Sequence, residues 1–211
     1  MRGVEATYRL CALRIACSFR TVSDEAALVI AGQVPLRELI RERKDIHTAA
    51  QGGSNATRAE LKAVARRSSF GRWQTQWDGS TKGRWTYSLI PKLKDWLERK
   101  HGQVDFYLTQ ALSGHGCFRS YLKRFGHETE DWCPACGSGI VEDAQHVLFE
   151  CHRFDDERLR LEAEVGARIS TETLVPIMLS EPRAWEAAAE FASSVMRTLR
   201  VLERRRKQET E

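Results

Sequence analysis

Cys133-Pro134-Ala135-Cys136-Gly137-Ser138-Gly139-Ile140-Val141-Glu142-Asp143-Ala144-Gln145-His146-Val147-Leu148-Phe149-Glu150-Cys151 spells C-x2-C-x9-H-x4-C. Three thiols and one imidazole therefore fall within nineteen residues. A two-residue gap lets a tight turn aim Cys133 and Cys136 at one point. Gly137 and Gly139 supply the backbone φ values that such a turn demands. His146 and Cys151 stand five apart, about a turn and a half of helix, close enough to complete a tetrahedron where a helix starts or ends. Zn²⁺ held by Cys133, Cys136, His146 and Cys151 is the simplest explanation.

The rival readings are weaker. Chance grouping is disfavoured because C-x2-C and H-x4-C spacings rarely coincide. A disulfide would leave one thiol over, and nothing suggests secretion. A redox C-x-x-C wants a strand before it and a helix after it, whereas Trp132-Cys133-Pro134 sits between polar and glycine-rich segments. A catalytic zinc keeps one position for water, but four protein ligands fill the shell, so the site reads as structural. His152 follows Cys151 directly, and Cys117, His115 and His127 lie upstream, so one of these could replace a ligand in the set. Metal binding to such a site contributes about 10–16 kcal/mol of apparent free energy. That exceeds what a short glycine-rich loop gains from packing, so the segment is expected to be disordered without metal.

The chain has 211 residues, enough for one moderate domain or two small ones with a real core. Met1-Arg2 leads into mixed charge rather than an apolar run, and no window reaches the length of uncharged apolar residues that a membrane span needs. The expected compartment is reducing, cytosolic or nuclear. Cys11 and Cys17 fall on an expected helix and read as small buried apolar residues. The net charge of +4 hides an asymmetry: residues 58–100 carry 11 basic against 4 acidic groups, while residues 101–152 carry 3 against 7. The basic excess lies just before the cysteine-rich segment, which is itself acidic.

Periodicity predicts a mainly α chain. Leu10, Leu13, Ala16 and Cys17 recur at helical spacing, Ser23 offers an N-cap to Asp24–Ile30, and Gly32 is a stop. Pro35 suits the first turn of the next helix, and Gln51-Gly-Gly-Ser54 reads as a linker. Asn55 is expected to cap a long helix over 56–77, and Pro91 to open another. Trp185, Ala188, Phe191, Val195, Leu199 and Leu202 give the cleanest 3.6-period stripe, ending in Arg204-Arg-Arg-Lys207. That basic run suits a helix C-terminus, or a targeting signal. Strands are scarce, confined to a short hairpin carrying Cys133 and Cys136.

Four-residue spacing puts Trp73 and Trp77 on one helix face. With Trp85, and with Arg66, Arg67, Arg72, Lys82 and Arg84 interleaved, they could stack on bases and neutralise phosphates. The alternative is that the tryptophans are core and the cations a solvated face, and for tryptophan alone the core is favoured.

These residues resemble the C-terminal part of the Pol polyprotein of non-LTR (LINE-type) retrotransposons. The resemblance covers most of the chain. It rests on Phe19-Arg20-Thr21-Val22-Ser23, Val29-Ile30-Ala31-Gly32 with Pro35-Leu36, Trp73-Gln74 with Trp77, Gly83-Arg84-Trp85-Thr86 and Ile90-Pro91. Leu108-Thr109-Gln110, Gly114-His115-Gly116-Cys117-Phe118 with Tyr121-Leu122, and the cysteine-rich segment with Asp143-Ala144-Gln145-His146 extend it. The branch it is most similar to is the type-one elements that insert into ribosomal RNA genes.

The resemblance implies an RNA-directed DNA polymerase and endonuclease as parent, with RNA template and target DNA as partners in the nucleus. It implies that residues 1–50 end the polymerase module as thumb-like helices and 51–126 form a basic, aromatic helical linker. A Cys₃His zinc knuckle would follow at 127–153, and C-terminal helices at 154–211. No Tyr-x-Asp-Asp motif or endonuclease carboxylate set is present, so Mg²⁺ is expected only for catalytic domains this chain lacks, and no catalytic residue is assigned. A module docking on the remainder of the polyprotein without touching nucleic acid is the alternative. A self-standing hydrolase using His115 or Cys117 has no partner constellation.

Overall fold

Ser23 and Gly32 punctuate the chain where their chemistry suggests. The Ser23 hydroxyl accepts the Ala26 amide at 3.3 Å, starting α2 (Asp24–Ile30), and Gly32 takes a φ of 66° just past its end. The computed structural model describes residues 2–52 and 55–210. In it α1 (Arg2–Ile15) packs on α2. α3 (Leu36–Gln51) starts directly after Pro35 and lies along α4 (Arg58–Gly79). Gly53 and Ser54 of the expected linker lie outside the described residues. The cap of α4 is Thr57 rather than Asn55, because Thr57-x-x-Glu60 forms a reciprocal capping box: the Thr57 amide donates to Glu60 at 2.7 Å and the Glu60 amide to the Thr57 hydroxyl at 3.2 Å.

Short helices follow: α5 (Arg84–Leu89), α6 (Leu93–Leu97), α7 (Phe106–Ser113) and α8 (Arg119–Arg124). α6 begins two residues after Pro91, where the Gln74 side chain accepts the Leu93 amide at 2.9 Å. A two-stranded antiparallel hairpin, β1 (Trp132–Cys133) and β2 (Gly137–Val141), leads to a π-helical turn (His146–Glu150) and a 3₁₀ turn (His152–Phe154). Then come α9 (Asp155–Val165), α10 (Leu174–Ser180) and the long α11 (Pro182–Thr210). The chain is mainly α, as its periodicity predicts.

One apolar cluster runs from Leu13 to Leu199. α11 supplies its buried stripe, Ala188, Phe191, Val195 and Leu199 among it, and packs on α7, α9, α10 and the π-helical turn. Trp96 and Trp185 lie ring to ring at 5.5 Å. Cys11 and Cys17 correct the sequence reading, for both are exposed. Ala12, Leu13 and Ala16 take the buried face of this region instead, and Cys17 sits beyond the helix end with a φ of 51°. Among the described residues no helix is long and apolar enough to cross a membrane.

Gly102 holds a turn against Trp185. Its φ is 81°, and a Cβ there would stand 2.1 Å from the indole. Gly102→Ala is expected to cost about 1–3 kcal/mol through overpacking alone. A urea titration should show a lower midpoint at unchanged slope.

Candidate metal centre and adjoining groove

The hairpin brings the first two thiols together. Cys133 pairs with Gly137 across the strands, and φ values of 103° at Gly137 and 96° at Gly139 let the backbone turn as the sequence predicts. The other two ligand candidates come from the π-helical turn. In an α-helix a residue five positions on lies about 140° round the axis. The Cys151 amide instead bonds the His146 carbonyl at 2.7 Å, and this wider winding carries Cys151 back toward the side of His146. The Asp143 carboxylate starts the turn by accepting the His146 amide at 2.9 Å.

The ligand atoms of Cys133, Cys136, His146 and Cys151 all lie within 4.8 Å of one another. Cys151 Sγ is 3.7 Å from both Cys133 Sγ and Cys136 Sγ. Zn–S bonds of about 2.3 Å at tetrahedral angles require an S···S edge of about 3.8 Å, whereas a disulfide requires about 2.05 Å. The geometry fits a shared cation and excludes a bond between the sulfurs. His146 is only 6% exposed, and neither ring nitrogen has a hydrogen-bond partner among the described residues. The nearest carboxylate, Glu150, is 3.7 Å from Nδ1, too far for a hydrogen bond. A buried polar atom left so costs about 1–3 kcal/mol, and coordination would satisfy it. The residues present fit a Cys₃His site.

Burial raises the Cys133 thiol, and pushes Cys151 up to about 12. Without a cation both are therefore protonated at neutral pH. None of the other candidates belongs to the group of four. The Cys117 thiol bonds Glu203 at 3.2 Å, and burial with that carboxylate pushes it up to about 12. His115 sits on the Ser113 carbonyl at 2.8 Å, with burial lowering its pKa. His152 is outside the group, its Nδ1 3.2 Å from Cys136 Sγ.

Three arginines that the spacing did not single out brace the site. Arg158 donates to the carbonyls of Leu148 at 3.1 Å and Cys151 at 2.8 Å. Arg153 reaches the fully buried Glu142 at 3.1 Å. Arg119 donates to the Trp132 carbonyl at 3.1 Å and pairs with Glu128, which Arg206 of α11 meets at 2.7 Å. The one sequence signal for any of these was the position of Arg153, two residues past the last thiol.

The eight basic and aromatic candidates separate into two sets. Trp73 and Trp77 are 3% and 1% exposed, so both are core and neither offers a face to a nucleic acid. Arg72 and Arg66 pair with Glu38 at 2.6 Å and Glu42 at 2.9 Å, tying α4 to α3, while Arg67 is exposed. Lys82, Arg84 and Trp85 share a groove of about 810 Å³ with Arg9, Tyr121 and Arg124. Arg84 also closes the end of α4, donating to the Ser80 carbonyl at 2.9 Å and lying 3.7 Å from the Tyr87 ring centre. Trp85 is half-buried, its indole N–H on the Ala111 carbonyl at 2.7 Å. Asp143, Ala144 and Gln145, the lead into the metal-site turn, line the same groove. A wider hollow of about 1070 Å³ opens between the end of α3 and the start of α4, lined by Arg43, Arg58 and Lys62 and away from the four ligand candidates.

Comparison with known proteins gives consistent matches. The chain is 30% identical over 205 residues to the "Retrovirus-related Pol polyprotein from type-1 retrotransposable element R1" of Bradysia coprophila, covering 87% of this chain and 20% of that protein. It is 25% identical over 223 residues to the corresponding R1 4 polyprotein of Nasonia vitripennis, covering 96% of this chain and 54% of that protein. A Popillia japonica R1 polyprotein matches at 31% over 114 residues, covering 53% of this chain and 44% of that protein. The chain thus spans about a fifth of the first relative and about half of the second. No family model matches it, and no solved structure does.

Proposed function

We propose that this chain, which resembles part of an R1-type non-LTR retrotransposon Pol polyprotein, is a nucleic-acid-binding portion of that polyprotein, with Zn²⁺ as its structural metal. The observation that carries the reading is the shared groove. Its one wall is the basic Lys82–Trp85 segment, and its other includes Asp143–Gln145, held in place by the turn that bears His146 and Cys151. Zinc here does no chemistry on a substrate; it fixes a wall. Lys82 and Arg124 are exposed, positioned to neutralise phosphates, while Trp85 and Tyr121 offer partly buried rings. Both groove carboxylates are engaged locally, Asp24 with Arg9 and Asp143 with the His146 amide, so they oppose a phosphate less than unpaired acids would. The ligand is template RNA or target DNA, and the setting is the nucleus. Polymerisation and target nicking are assigned to the polyprotein as a whole.

Anisotropy of a fluorescein-labelled single-stranded oligonucleotide tests this. Binding should weaken steeply with salt, and Lys82→Ala with Arg124→Ala should flatten the log–log slope by about 1.4, at about 0.7 for each phosphate of a single strand that is no longer neutralised. Zinc content and melting temperature should be unchanged. Salt-independent affinity, or a double variant that binds like the parent, would defeat the proposal. Absence of any binding would favour docking on the rest of the polyprotein.

A further inference from the structure

Of the three thiols, Cys133 and Cys151 are fully buried, while Cys136 is partly exposed. Cys136 is therefore the ligand that solvent and competing chelators reach first. His152 stands beside it, with Nδ1 3.2 Å from its sulfur, on the 3₁₀ turn that follows the last thiol directly. A sulfur–nitrogen distance of 3.2 Å fits a hydrogen bond, and His152 stands outside the four residues whose ligand atoms all lie within 4.8 Å of one another. His146, in contrast, is buried with neither ring nitrogen hydrogen-bonded among the described residues, so one of them is free to ligate. The two histidines have different work.

We propose that His152 is a positioning residue of the metal centre: its Nδ1–H donates to the Cys136 sulfur and slows loss of the ion through that ligand. The inference rests on the Cys₃His reading. A thiolate bound to the metal carries charge that a donor on its outer side stabilises without adding to the coordination shell. The 3₁₀ turn that fixes His152 is held from beneath, since Arg158 pins the Cys151 carbonyl at 2.8 Å and Phe154 is fully buried. The donor is thus pre-set by the fold. Arg153 makes a longer approach of the same kind, 3.9 Å to Cys133 Sγ, but its charge is already engaged by Glu142. His152 carries the larger effect.

Cobalt(II) spectroscopy and zinc release to a chromogenic chelator separate the outcomes. His152→Ala should keep the thiolate charge-transfer and ligand-field bands of the parent, yet release zinc about 10-fold faster, the low end of the effect typical of outer-sphere partners. His152→Gln, which retains an N–H donor, should restore much of the slow release, and His152→Phe, which covers the sulfur without donating, should not. His146→Ala should alter the bands. If His152→Ala alters them instead, His152 is a ligand and the inference is wrong. An unchanged release rate in His152→Ala also overturns it. A parent protein that takes up no cobalt overturns the Cys₃His reading itself, which is a separate failure.

Discussion

Stripping the metal is expected to abolish amide protection across residues 131–154 and to leave the α3–α4 pair largely intact. The hairpin offers two paired residue positions and a bulge, far below what a two-stranded sheet needs to stand alone in water. Binding of a structural zinc supplies about 10–16 kcal/mol of apparent free energy, against about 1 kcal/mol for an ordinary hydrogen bond. Nothing else in the segment competes with that. The loss should also spread, because Val147, Leu148 and Phe154 are core residues and α11 lies on the π-helical turn. α3 and α4 hold each other through their own ion pairs, so they should be spared. Hydrogen exchange with and without chelator measures this directly, and unchanged protection over 131–154 would refute it. The pH dependence has a definite sign. In the metal-free protein, where this segment is unfolded, Cys133 and Cys151 are ordinary thiols that hold their protons at neutral pH, and binding expels them. Apparent zinc affinity should therefore fall on acidification, by about a hundredfold per pH unit from these two groups alone.

The close grouping of Cys133, Cys136, His146 and Cys151 was legible because ligand chemistry fixes spacing: two thiols on a turn, an imidazole and a thiol at a helix end. The particular device was not. That His146 and Cys151 meet through a π-helical turn depends on a hydrogen bond from the Cys151 amide that no periodicity reports. The helices were legible for similar reasons, since Ser23, Gly32 and the stripe on α11 act locally. Thr57 takes the place of Asn55 as a cap because Glu60 completes its box, a pairing visible in sequence but overshadowed by the glycine-rich break just before it. Cys11 and Cys17 failed because hydrophobicity scales treat a thiol as apolar, while the choice of buried face was made by Ala12, Leu13 and Ala16 packing on α2. The groove was half legible. Lys82, Arg84 and Trp85 are neighbours in sequence, but Arg9, Tyr121 and Arg124 join them only through tertiary packing.

Trp77→Ala should lower stability by about 3–5 kcal/mol, the cost of emptying a large buried aromatic site. Trp77 is 1% exposed, its indole N–H donates to the Ile90 carbonyl at 2.8 Å, and its ring meets Tyr87 at 5.6 Å. The variant therefore leaves both a cavity and an unpaired carbonyl. It also removes the wall against which Gly83 is packed, so close that a methyl group on Gly83 would stand only 3.2 Å from the indole. Trp77→Phe fills much of the volume without the N–H, so it should recover most but not all of the loss. The same pair separates core from ligand contact. If Trp77 stacked on a base, Trp77→Ala would weaken oligonucleotide binding while leaving the melting curve in place. The buried geometry requires the opposite order: the melting temperature drops first, and any loss of binding at low temperature follows the unfolded fraction. Lys82→Ala with Arg124→Ala should behave in the reverse way, with binding weakened and melting preserved. Measuring both variants by calorimetry and anisotropy on one preparation would decide which residues hold the fold and which face the ligand.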